Sequence, residues 1–148
     1  MKRREFLLLS ASGLAALATT GVAFGDEQHH VKMYKSPECD CCEGHAAHLE
    51  QNGFKVTIIE DDDIFVRKAK LGIPDALAGC HTGLVAGYVI EGHIPASFVN
   101  KLIDERPAIV GLSIPGMPLG VPGMEGPRDE PLDIFVIDAT GKTVYATI

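Results

Sequence analysis

Three observations predict an α/β domain built on a mixed sheet. Through residue 72 strand-like runs alternate with helical ones, the order that favours parallel strands joined by crossover helices. A strand-like stretch and a third helix then follow. Two short β-rich runs separated by Ala139-Thr140-Gly141 close the chain as a hairpin.

Each element has its own signal. "VKMYK" (31–35) reads as a strand with Val31, Met33 and the stem of Lys35 on one face. Ser36-Pro37 ends it, and a helix runs from about Cys42 to Gln51, stopped by Asn52-Gly53. "FKVTIIE" (54–60) is a second strand by its β-branched content. Asp61, Asp62 and Asp63 suit the solvated start of a helix over "IFVRKAKLG", and Lys68, Lys70 and Gly72 suit its end. "HTGLVAGYVIEGHIP" (81–95) is expected to form a strand that turns at Glu91-Gly92 into a short partner. "PASFVNKLIDERP" is a helix with Pro95 near its first turn, apolar Phe98, Val99, Leu102 and Ile103, and a stop at Pro107. The order strand-helix-strand-helix-hairpin-helix is a thioredoxin-like arrangement, here followed by a Pro/Gly-rich loop and the C-terminal hairpin.

That loop, residues 107–131, holds six of the nine prolines and five glycines, and regular structure is not expected in it. Within it "IPGMPLG" and "VPGMEG" repeat at a seven-residue step, placing Met117 and Met124 in matching Pro-Gly-Met turns.

Residues 1–25 have a basic start (Lys2, Arg3, Arg4), an apolar run and a small-residue ending, the anatomy of an exported protein's signal peptide. Arg3-Arg4 followed by Glu5-Phe6-Leu7 resembles a twin-arginine signal, which carries proteins across already folded. The expected mature unit is one domain, 26–148, periplasmic and without stable membrane insertion. It retains ten basic and nineteen acidic residues over 123 positions, a net charge of −9. That balance argues against nucleic acid and anionic lipid as partners.

The chemistry concentrates in "SPECDCCEG", where Cys39, Cys41 and Cys42 fall within four consecutive positions. The fourth cysteine, Cys80, precedes the third strand. Cys39 and Cys42 form a C-x-x-C pair at a helix start, where unpaired amides favour thiolate over thiol. Thiolates serve both disulfide exchange and soft metals, so position alone does not choose between them. A dithiol catalyst needs two sulfurs, and a third beside them invites scrambling. Cysteines this close together cannot staple distant elements, which leaves at most one useful structural crosslink, to Cys80. Metal binding uses all four. Zinc sites usually draw paired ligands from two separated knuckles, whereas Cu(I) is soft, accepts low coordination and shares bridging sulfur. Copper therefore ranks first, with zinc the lesser metal, thiol redox second and structural disulfides third.

Met117, Met124, His45 and His48 join the four cysteines as candidate metal ligands, the two histidines because they continue the line of Cys42 along its helix. His81 is discounted because strand neighbours point to opposite faces. His93 is expected to be structural, beside the hairpin turn. His29 and His30 are read as a tail.

The segments "SPECDCC", "LGIP", "CHT", "GYVIEGHIP", "LIDERP" and "GLSIPGMPLGVPGMEG" together resemble the exported metal-binding proteins of the CopG copper-resistance type, long held as a domain of unknown function. The resemblance spans nearly all of residues 31–148. It implies a thioredoxin-like fold, a periplasmic location, copper ions as the partner, and Cys39, Cys41, Cys42 and Cys80 as ligands of Cu(I). The family's pattern after the cysteines usually reads C-C-x-x-W-x-x-H-L. Here His45 stands at the tryptophan position, while His48-Leu49 is kept. Two function classes follow: a protein that sequesters Cu(I) or passes it to other periplasmic copper-handling proteins, and a thiol-disulfide or copper-linked oxidoreductase using Cys39 and Cys42.

Overall fold

The computed structural model describes residues 29–148, so the signal-like segment 1–25 lies outside the described residues. Among the described residues no helix is long and apolar enough to cross a membrane.

One seven-stranded sheet organises them, in the order β2-β1-β3-β4-β5-β6-β7. Its strands are β1 (His30–Lys35), β2 (Lys55–Glu60), β3 (His81–Val85), β4 (Tyr88–Glu91), β5 (Gly111–Ser113), β6 (Asp133–Val136) and β7 (Val144–Thr147). The helices are α1 (Cys41–Gln51), α2 (Ile64–Lys70) and α3 (Ala96–Glu105), with a 3₁₀ turn at Asp75–Leu77. β1 and β2 pair in parallel across α1, and β4 and β5 across α3; the other neighbours are antiparallel. The expected parallel pair, third helix and terminal hairpin are all present, and the hairpin extends the sheet by pairing β6 with β5.

The main core lies on one sheet face, where Val31, Met33, Ile90 and Leu112 meet Ala46 and Leu49 of α1 and Val99 and Leu102 of α3. A smaller cluster, Ile73, Leu77, Val89 and Ile137, covers the opposite face. Alternation along the strands supplies both: Val89 faces the small cluster and Ile90 the large one.

His30, read as tail, opens β1 and pairs with Lys55 of β2, and two further expectations are corrected. The hairpin turns at Ala86-Gly87, not at Glu91-Gly92; both loop residues have positive φ (50° and 87°), which matches the twist of the flanking strands. Alanine pays a steric penalty there, and the Arg106 guanidinium offsets part of it by donating to the Ala86 carbonyl at 2.7 Å. The second correction is β5, which lies inside the Pro/Gly-rich loop. Three residues are too few to leave a periodic signal, and the strand exists because β4 offers it a parallel edge at Val89, Ile90 and Glu91.

Candidate metal centre

The register of the sheet brings the cysteines together. β1 pairs with β3 so that Lys35 lies opposite His81, which puts the loop leaving β1 and the residue entering β3 at the same end of the sheet. Cys39, Cys41 and Cys42 come from the first and Cys80 from the second. Their four sulfurs all lie within 4.8 Å of one another.

The cysteine loop is tightly built. The Cys39 amide donates to the Ser36 carbonyl at 3.0 Å, and the buried Lys35 ammonium donates to the Cys39 carbonyl at 3.2 Å. Cys39 and Cys42 are joined as a disulfide, their Cα atoms 6.0 Å apart. Cys41 and Cys80 are free, half-buried thiols, and the Cys41 sulfur lies 3.5 Å from that of Cys39. Four thiolates are therefore available only after this disulfide is reduced. Burial, reinforced by neighbouring Cys41, pushes the Cys80 thiol up to about 12, so it carries its proton at neutral pH.

Two histidines that sequence reasoning set aside complete the cluster. Cys80, His81 and His93 offer ligand atoms that also lie within 4.8 Å of one another. Cys80 Sγ is 3.1 Å from His81 Nδ1 and 3.2 Å from His93 Nε2. Alternation did not apply to His81, because Cys80 precedes the strand and its side chain is free of the pleat. His93 was misplaced with the hairpin turn. With the turn at Ala86-Gly87, β4 runs back to the sulfur end of the sheet and delivers His93 there.

Backbone carbonyls set the tautomers. A carbonyl only accepts, so His93 Nδ1–H donates to the Pro122 carbonyl at 2.7 Å, and the lone pair on Nε2 faces Cys80. Likewise His45 Nε2–H donates to the Ile94 carbonyl at 2.8 Å, which leaves His45 Nδ1 to accept from His81 Nε2–H at 2.7 Å. The lone pair on His81 Nδ1 then also faces Cys80. Burial keeps the rings neutral: it lowers His93, lowers His81 well below the usual histidine range and takes His45 down to about 3. The single Cys80 S–H can satisfy one of these lone pairs and not both. A thiolate and two neutral imidazoles aimed at one point form a donor set that suits a metal cation.

The other candidates fall in different places. His45 lies on the buried stripe Cys42-His45-Ala46-Leu49 of α1, with both ring nitrogens on protein partners. His48 Nε2 accepts the Ala96 amide at 3.1 Å, satisfying a donor at the start of α3. The pair thus ties α1 to residues 94–96. Met124 is half-buried against the core that Cys39, Cys41 and Cys80 border, whereas Met117 is 63% exposed. Their repeated turns dock on the two cysteine-bearing segments: Gly116 bridges to Gly79, beside Cys80, and Gly123 sits on α1 at Gly44. The second contact is close enough that a Cβ on Gly44 would lie 2.9 Å from Gly123 Cα.

Residues 77–124, which contain Cys80, His81, His93 and both Pro-Gly-Met turns, match a family model described as a protein of unknown function, DUF411. Two solved structures of a copper resistance protein copG are similar at 39% identity. Form 2 has a TM-score of 0.73, over 80% of this chain and 97% of that one; Form 1 has 0.74, over 82% and 98%. No protein of curated function matches.

Proposed function

The chain belongs to the CopG copper resistance family, and on that premise we propose that its cysteine-histidine centre binds Cu(I) in the periplasm and holds it or passes it on. The observation that carries this reading is convergence: sulfurs from two separate segments and two oriented imidazole lone pairs meet at one point, with Cys80 common to both groups. The reduced cluster offers more soft donors than one low-coordinate Cu(I) needs, so bridging sulfur and more than one ion fit the donor set. Zinc is the lesser alternative, since three of the sulfurs come from one turn of chain. Each thiol that takes up Cu(I) gives up its proton, and the raised Cys80 group makes binding tighten as pH rises. The exposed thioether of Met117 suits a transfer ligand, and half-buried Met124 an outer one. His45 and His48 act by holding α1 and His81 in place. The β1-α1-β2 unit followed by the β3–β4 hairpin and α3 fits a thioredoxin-like reading of the fold.

The test is an anaerobic Cu(I) titration of the reduced protein against a modest competing chelator, with X-ray absorption on the loaded form. Sulfur-dominated ligation with a nitrogen contribution is expected. Failure to take Cu(I) from the competitor ends this reading.

A second reading rests on the Cys39–Cys42 disulfide at the start of α1, with Cys41 3.5 Å from Cys39. A thiol-disulfide oxidoreductase would exchange this bond with a dithiol substrate, which leaves as a disulfide while Cys39 and Cys42 become thiols. Rapid turnover on model disulfides, undiminished by Cys41→Ser or Cys80→Ser, would favour it.

A further inference from the structure

On the face of the sheet opposite the histidines lies a buried polar network that the centre itself does not use. Glu91 is fully buried and Lys68 nearly so, at 4% exposed. Glu91 Oε1 accepts the Gly79 amide at 2.7 Å and the Lys68 ammonium. Its Oε2 accepts the Thr82 hydroxyl at 2.6 Å, and Thr82 Oγ1 in turn accepts from Lys68 Nζ at 2.9 Å.

Resting on the metal-centre reading above, we propose that Glu91, neutralised by Lys68, is a positioning residue: its carboxylate grips both ends of the 79–82 segment and so holds Cys80 and His81 against His93. Cys80 and His81 are the two residues between the gripped ones. His93 follows Glu91 by two positions, and the Gly92 amide between them bonds to the His81 carbonyl at 2.9 Å. One side chain therefore ties together the backbone that supplies all three donors.

Packing does not require this arrangement. Thr82 and Glu91 are directly opposed across β3 and β4, and the pair two residues along on the same face, Leu84 and Val89, is apolar. Burying an ion pair is often no more stabilising than an apolar replacement. What distinguishes the polar pair is its reach, since no apolar side chain could accept the Gly79 amide. Outer-shell groups that fix metal ligands commonly change affinity by about 10–100-fold when lost.

The test compares wild type with Glu91→Gln and with an apolar replacement of the network, Lys68→Met/Thr82→Val/Glu91→Leu, which keeps a filled interior if the single variant fails to fold. Ile134→Val in the core of β6, three strands from β3, serves as a stability control. Amide hydrogen exchange is measured on the metal-free proteins. Cu(I) affinity and X-ray absorption are measured on the reduced, loaded ones. In the triple variant exchange across 78–81 is expected to rise about tenfold or more over the control, with Cu(I) affinity about tenfold weaker and nitrogen ligation reduced. Unchanged exchange at 78–81, or affinity and ligation that move no further than in Ile134→Val, overturns the proposal. If wild type takes up no Cu(I), the metal reading falls, and exchange at 78–81 still decides whether Glu91 clamps the segment.

Discussion

His45 is fully buried, gives Nε2–H to the Ile94 carbonyl and takes the His81 N–H at Nδ1. Burial in a dry interior, with neighbouring His93 and His48 adding to it, takes the ring down to about 3 from 6.5, and a proton added to Nδ1 would point at another donor. Between those values the unfolded chain binds a proton here that the folded chain refuses. Stability owed to a neutral His45 is therefore complete above pH 6.5 and is lost as pH falls toward 3. At about 1.4 kcal/mol per pH unit, the loss at pH 5 is about 2 kcal/mol from this group. His45→Gln can still donate to Ile94 but does not titrate. At pH 7.5 it should be less stable than wild type by about 1–3 kcal/mol, the cost of an altered buried hydrogen-bond pair. By pH 5 that gap should narrow by about 2 kcal/mol. Urea unfolding of the metal-free, disulfide-intact proteins across this range measures it. A gap that stays constant or widens on acidification would refute the reading that the fold holds His45 neutral.

Two further outcomes are expected. Gly44→Ala places a methyl 2.9 Å from the Gly123 backbone, which cannot swing aside; overpacking of about 1–3 kcal/mol should outweigh a helix-propensity gain of about 1, lowering the urea midpoint and raising proteolytic cleavage within 115–127. Met117→Ala, at an exposed position, should leave stability within about 0.5 kcal/mol and retain Cu(I), yet slow its transfer to an acceptor chelator, whereas Cys80→Ser, which removes the donor common to both ligand groups, should weaken retention itself.

Local chemistry made much of the molecule legible. β1, β2, α1, α2, α3 and the terminal hairpin follow from β-branched runs, apolar spacing and stop signals, within a residue or two of their ends. The hairpin turn was missed because Glu91-Gly92 is the stronger glycine signal, while the true turn puts alanine at a positive φ. That error hid His93, since a residue beside a distal turn could not reach the cysteines. His81 was hidden by a rule that holds inside strands and not at the residue before one.

The inventory of donors was set along the chain: three sulfurs in one turn, one more ahead of a strand, and histidines whose neighbours in sequence are plain to read. Which of them share a point was decided by pairings between segments, Lys35 opposite His81 and Thr82 opposite Glu91. The fold also sent His45 to the Ile94 carbonyl and the His81 ring, sent His48 to the Ala96 amide, and brought in His81 and His93. Ligand identity is a property of single residues, whereas the few ångströms separating donors depend on sheet register and on backbone carbonyls far off in sequence, which only the folded chain brings near.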